Sequence, residues 1–254
     1  MNRNVAIIQA RMSSSRFPGK VLESLLGQPL ILFMIERVRR ASCIDDVVVA
    51  TSTDRSDDPL AAVLREAGVE VHRGPLNDVL ERFVGAARAC DARRVVRLTG
   101  DCPLIEPDLI DAVVALLGEK GVDYASNTAP PRWPDGLDVE VMTIEALETA
   151  AREATLVSER EHVTPFLRNN VQRFRQASLA SVIDLSALRW TVDHPDDLVF
   201  IRELLVAVGT CDATAFDRFD LLRAIEAQPS LLAINRHERN EGYAESIARE
   251  IAAS

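Results

Sequence analysis

The sequence predicts an α/β protein: a Rossmann-like, mixed but mostly parallel sheet with helices on both faces, plus a small subsidiary lobe. Three observations carry this. Short β-branched apolar runs alternate with helically periodic segments through the first half of the chain. Hydrophobic residues make up 47% of the 254 positions but aromatics only 5%, so Val, Ile, Leu and Ala must fill the core, as in sheets covered by helices. The alternation then breaks after Tyr124, where a different organisation begins. The length suits a single domain over residues 1–254, with the lobe at about 125–180 and a helical part from about 195 to 254.

The first strand is Val5 to Ile8, short, mostly branched and bounded by polar residues. Pro29 can open a helix in which Leu30, Phe33, Met34 and Val38 recur at helical spacing, and Arg37, Arg39 and Arg40 suit its negative end. Val47 to Ala50 is the second strand. Asp57, Asp58 and Pro59 mark the next helix start, and Gly68 caps its end. The same rhythm gives a strand at Val69 to His72, a helix from about Asp78 to Ala89, a strand at Val95 to Leu98 and a helix from Pro107 to Leu117. Repeated βα units imply parallel pairing.

Asn127 to Gly136 holds three prolines, a Trp and an Asp-Gly, and reads as a long exposed loop. Leu137 to Met142 alternates charged and apolar residues, as an edge or antiparallel strand does. Helices at about Ile144 to Arg152 and Leu156 to Asn169 follow, then strands near Arg173 to Ala177 and Leu188 to Val192. The tail from Pro195 has helical spacing in Leu198, Ile201 and Leu205 and again in Leu221, Leu222 and Ile225.

A formal charge of −10 leaves no broad footprint for a nucleic acid polymer, so any anion must be held locally. Cys43, Cys90, Cys102 and Cys211 are dispersed without a CxxC pair, which suggests neither a zinc site nor a disulfide framework. The N-terminal apolar run is too short for a signal peptide, and no segment approaches membrane-spanning length. A cytoplasmic protein without a membrane partner is expected.

The densest chemistry follows the first strand, in Ala10-Arg11-Met12-Ser13-Ser14-Ser15-Arg16-Phe17-Pro18-Gly19-Lys20. In a βα unit ligands bind at the carboxyl ends of strands, where this loop can offer phosphates its N–H groups, three cations and three hydroxyls. Arg forks grip phosphate oxygens, and Lys adds a compact point charge. A solvated basic loop would have the same composition. Gly19-Lys20 is followed by Val21, so the loop is not a P-loop, and no GxGxxG is present.

The arrangement Ala-Arg-x-x-Ser-x-Arg-x-Pro-x-Lys resembles the opening signature of the CMP-sugar synthetases, which include the acylneuraminate and 3-deoxy-manno-octulosonate cytidylyltransferases. The chain is most similar to the branch named after spore coat polysaccharide biosynthesis protein F, from Val5 to roughly Leu198. The resemblance implies a nucleotide-diphospho-sugar transferase type of fold, CTP and an acidic sugar as substrates, Mg²⁺ as cofactor, and a homodimer. It implies nucleotide contacts from Ala10, Arg11, Ser13, Arg16 and Lys20, of which Arg11, Arg16 and Lys20 would act in catalysis with Asp101.

Asp101, in Arg97-Leu98-Thr99-Gly100-Asp101-Cys102, follows a strand at the same ligand edge. It is either an ordinary turn residue after Gly100 or a hard oxygen ligand, and the resemblance makes it a metal aspartate. Asp193, before His194-Pro195-Asp196-Asp197, takes the second metal position by the same resemblance. Pro195, Asp196 and Asp197 suit a helix start, and His194 reads as a capping or packing residue. Thr51 and Gly74, at the ends of the second and third strands, are nucleotide contacts or plain turn residues. Substrate contacts fall in the lobe, at Asn127, Asp138, Glu140, Arg160 and Glu161, where Arg160 could pair with a sugar carboxylate. A metal-dependent glycosyltransferase and a non-catalytic nucleotide-binding protein are the competing readings. The first has no need of three cations in one loop, and the second no need of two acids.

Overall fold

The computed structural model describes residues 3–239 and 241–253. In chain order the elements are β1 (Asn4–Gln9), the short hairpin β2 (Ser24–Leu25) and β3 (Gln28–Pro29), α1 (Leu30–Val38), β4 (Asp46–Ser52), α2 (Asp58–Glu66), β5 (Glu70–Gly74), α3 (Val79–Ala89), β6 (Arg94–Thr99) and α4 (Pro107–Lys120). Then come β7 (Tyr124–Ser126), β8 (Glu140–Thr143), α5 (Ile144–Glu153), α6 (Val157–His162), α7 (Pro165–Asn169), β9 (Gln176–Ser178), α8 (Pro195–Val208), α9 (Arg218–Ala227) and α10 (Glu241–Ala253).

Seven strands form one sheet in the order β5-β4-β1-β6-β8-β7-β9, with β8 antiparallel to both neighbours and the other pairings parallel. The fully buried apolar residues of β1 and β6 explain why these strands are central: a parallel strand covered on both faces must be apolar on both. Residues of α1, α4, α8 and α9 join one apolar cluster, and those of α3, α5 and α7 join the other, so helices cover both faces. The strands of the 124–178 stretch extend this same sheet.

The chain winds outward from β1 through β4 to β5, then returns across the sheet to β6 on the other side of β1. That reversal opens a crevice at the carboxyl ends of β1 and β6. Gly100 lets those ends approach: a Cβ there would lie 3.0 Å from both the Ala10 Cβ and the Gln9 carbonyl oxygen.

Two expected elements differ. The helix expected over 156–169 is broken into α6 and α7, because Val163 takes a positive φ of 69° and Pro165 restarts the helix at its first turn. Leu188 to Val192 is extended but forms no ladder; only Arg189 bridges to Asp135. Its N–H groups go to loops, Trp190 to Asp135 O at 2.6 Å and Val192 to Asp101 O at 2.8 Å. Gly136 permits this, since a Cβ there would lie 2.6 Å from the Thr191 nitrogen.

Candidate active site

The loop after β1 is pinned at two points. Asp57, fully buried, accepts the Met12 N–H at 2.7 Å and the Ser52 N–H at 3.0 Å, tying the loop to the end of β4. Gly19 N–H donates to Met12 O at 2.8 Å and closes the turn that delivers Lys20. The Lys20 ammonium then sits 2.9 Å from Asp101 Oδ2 and 2.9 Å from Asp193 Oδ1. Arg16 Nη2 also lies 2.9 Å from Asp193 Oδ1. Four residues spread over 178 positions of chain thus converge at the crevice.

Asp193 is oriented from behind. Arg189 donates from Nη2 to Asp193 Oδ2 at 3.2 Å, and its Nε and Nη2 engage the fully buried Asp197 at 2.9 Å each. Asp197 Oδ2 in turn accepts the N–H groups of Asp193 and His194, both at 2.9 Å. Asp197 therefore does more than start α8: it holds the backbone that carries Asp193. Burial pushes the Asp193 carboxyl up, but Lys20, Arg16 and Arg189 outweigh this and hold it well below the usual carboxylate range. Burial likewise opposes the charge on Lys20, yet Asp101 and Asp193 raise it above the ordinary lysine value. His194 stacks on His237 at 3.8 Å and meets Glu241 Oε2 at 3.0 Å, consistent with a packing role.

Arg16, Lys20, Asp101 and Asp193 line one wall of a cleft of about 1320 Å³. Also on the cleft wall, Arg11 has no hydrogen bond or ion pair among the described residues. Arg82, 2% exposed, donates Nη1 to the carbonyls of Pro75 and Leu76 at 3.2 Å but leaves Nε unpartnered. Burial, with the charge of Arg11 nearby, pushes Arg82 down to about 10. Arg11 and Arg82 thus bring two cations without an ion pair into one recess of the cleft, with Asp57 and Asp78 the carboxylates whose charge reaches Arg82. Farther along, Glu140 is held by Arg97 and the Tyr124 hydroxyl, Asp138 by Arg239, and Glu161 by the Ser246 hydroxyl at 2.8 Å and Arg249 at 2.9 Å.

Of the residues expected from sequence, Ala10, Arg11, Arg16, Lys20, Asp101, Asp138, Glu140, Glu161 and Asp193 line this cleft. Five do not. Ser13 is exposed, and Ser14 and Ser15 face the cleft instead. Thr51 is fully buried within β4. Gly74 ends β5 and is small to admit Arg82, whose Cγ would lie 2.8 Å from a Cβ there. Asn127 is fully buried, bridging Leu137 O at 2.7 Å and the Val139 N–H at 2.8 Å. Arg160 is engaged by Asp78 and by Ala151 O at 2.6 Å. Sequence reasoning missed Arg82, Arg97, Arg168, Arg189 and Arg239. The available signal was an arginine inside an apolar run, as in Val95-Val96-Arg97-Leu98, where only a buried partner or a ligand justifies the charge.

The family model described as cytidylyltransferase matches residues 5–204. The chain belongs to the cytidylyltransferase family. This cytidylyltransferase is 35% identical over 216 residues to the spore coat polysaccharide biosynthesis protein SpsF of Bacillus subtilis, covering 82% of this chain and 89% of that one. A 3-deoxy-manno-octulosonate cytidylyltransferase of Anaeromyxobacter is 46% identical over 132 residues, about half of each chain. Among solved structures, a cytidylyltransferase from Leptospira borgpetersenii superposes with a TM-score of 0.86 at 30% identity, covering 94% of this chain and 99% of that one. The protein is a nucleotidyltransferase, and no described helix is long and apolar enough to cross a membrane.

The donor set of the cytidylyltransferase fits a hard divalent cation. Two carboxylates already converge on one small cation, the Lys20 ammonium, on the cleft wall formed with the loop after β1.

Proposed function

We propose that this enzyme transfers CMP from CTP to a hydroxyl of an acidic sugar of the ulosonic type, releasing pyrophosphate, with Mg²⁺ as cofactor, and that the product feeds surface polysaccharide or glycan synthesis. The observation that carries this reading is the convergence of Arg16, Lys20, Asp101 and Asp193 beside the unpaired Arg11. The names of the similar proteins support the sugar class, because an octulosonate is an acidic sugar.

Arg11 and Arg16 grip phosphate oxygens with their planar forks, and Lys20 follows charge onto the departing pyrophosphate. Asp101 and Asp193 would hold Mg²⁺, which would supply charge neutralisation and orientation of the triphosphate. Arg189 and Asp197 fix the carboxylate of Asp193 for that task. The acceptor hydroxyl attacks the α-phosphorus in line while pyrophosphate leaves opposite, so positioning and electrostatics provide the rate and no covalent intermediate is required. We also propose a cytoplasmic homodimer. The exposed apolar pair Val182 and Ile183 supports a contact between copies, and size-exclusion chromatography with light scattering tests it.

The test of the reaction is pyrophosphate release from CTP and Mg²⁺ across a panel of ulosonic acids. Release that requires a sugar and prefers CTP over UTP and ATP is expected. Release independent of sugar would mean hydrolysis and refute the transfer.

A further inference from the structure

The acceptor end of the cleft contains an element outside the residues matched by the family model. Helix α10 packs on α6 and contributes Tyr243 and Arg249 to the cleft wall.

Most arginines here are matched by a carboxylate: Arg16 by Asp193, Arg239 by Asp138, Arg249 by Glu161. Arg168 is not. Carried by α7, it lines the cleft with no side-chain hydrogen bond or ion pair among the described residues, and its Nε is buried and unpartnered. Its guanidinium carbon lies 5.5 Å from the centre of the Tyr243 ring. That ring also meets His162 edge-on at 5.1 Å, and its hydroxyl has no hydrogen-bond partner among the described residues. Arg97 gives one nitrogen to Glu140 and leaves its own buried Nε unpartnered.

The Arg97 and Arg168 side chains are both half-buried, and a donor shielded from water without an acceptor, as each Nε is, costs about 1–3 kcal/mol unless a ligand completes it. The local potential is positive: burial, then the charge of Arg97, with Arg168 and Arg249 adding, lowers His162 to about 4 in spite of Glu161. The anions closest to these arginines are Glu140, which Arg97 holds, and Glu161, which Arg249 holds, and Arg168 keeps its hydrogen-bond donors for the cleft.

We propose that Arg168, with Arg97 and the Tyr243 hydroxyl, binds the carboxylate of the acceptor, and that the C-terminal helix is therefore an acceptor-reading element. The proposal rests on the reading that the acceptor is an acidic sugar. It replaces Arg160, which Asp78 already engages, by a residue eight positions later.

The experiment is equilibrium binding, by calorimetry, of a panel of 3-deoxy-ulosonic and uronic acids and of their methyl esters, which keep the shape and remove the charge. CTP binding is measured alongside. The protein should bind at least one acid about tenfold or more tighter than its ester, as a charge-assisted pair requires. Arg168→Met should bind acid and ester alike, with the CTP constant unchanged, and Arg168→Lys should recover part of the preference. Tyr243→Phe, which removes only an unpartnered hydroxyl, should weaken the acid and not the ester, and it serves if Arg168→Met fails to fold. Retention of the full acid preference in Arg168→Met, or in Tyr243→Phe where Arg168→Met does not fold, would overturn the proposal, as would no preference in the unmodified protein. A protein that prefers the acid but neither binds nor turns over CTP would sink the proposed reaction and leave the carboxylate site standing.

Discussion

Lys20→Met keeps the volume of the side chain and removes the cation between Asp101 and Asp193. Each carboxylate oxygen lies 2.9 Å from the ammonium, so the two end no more than about 5.8 Å apart with nothing between them. At an effective dielectric of about 20, that repulsion is about 3 kcal/mol. Asp193 keeps Arg16 and Arg189, whereas Asp101 has no second cation within ion-pair distance. We expect the variant to lose about 2–3 kcal/mol of unfolding free energy near neutral pH, the lower side of what breaking a buried pair costs. The sign with pH distinguishes this from lost packing. In the unmodified protein Lys20 is raised, so its contribution is present below the ordinary lysine value and lost above the folded one. Asp193 is depressed, so its contribution is present above the ordinary carboxylate value and lost on acidification. The pair is therefore flat between about pH 5 and 9. In the variant, the two carboxylates share a proton more readily folded than unfolded, and stability returns as pH falls. Urea unfolding at several pH values, in the absence of divalent cations, measures it. A variant as stable as the parent at neutral pH, with the same pH slope, would refute this electrostatic account.

Arg11→Met should raise the KM for CTP about tenfold, since a phosphate fork is lost, and should not lower the urea midpoint, because Arg11 has no hydrogen bond or ion pair among the described residues and its charge repels Arg82. Arg160→Met should keep turnover within about twofold and cost about 1 kcal/mol by denaturation, as expected for a partly exposed pair with Asp78. His162 takes a proton in the unfolded chain near its ordinary value but in the folded protein only near about 4, so its contribution to stability is lost as pH falls. Between pH 7 and 5 that is about 2 kcal/mol, and His162→Gln should flatten this part of the urea profile.

The parallel half of the fold was legible because each strand is an apolar run short enough to cross the sheet once and each helix carries its own start and stop. Asp78 shows this: it caps α3 by accepting the Glu81 N–H at 2.9 Å, where the residue type predicts a cap. The 188–192 stretch was not legible, since Leu, Trp, Thr and Val suit a strand anywhere. Whether they form one depends on whether a neighbouring strand has free groups. Here two loops, at Asp135 and Asp101, take the N–H groups instead. That misassigned strand is what couples the two halves of the site, because the same segment ends on Asp193.

The site divides in the same way between local and distant information. The first loop is legible because its cations lie within ten residues of one another, and any fold that places one at the crevice places the rest nearby. The arginines at the α7 end of the cleft were illegible because the choice of partner for each is settled elsewhere in the chain. Arg160 and Arg168 make the point. On one continuous helix they would lie about 80° apart around the axis, close enough to share a face. Val163 at positive φ and Pro165 break that helix, after which Arg160 meets Asp78 at the start of α3 and Arg168 meets the cleft. A two-residue backbone feature, visible in sequence only as a proline, thus decides which cation is held by Asp78 and which lines the cleft. Composition near a site can therefore nominate the residue type that binds a carboxylate, while the identity of the residue waits on the turn that aims it.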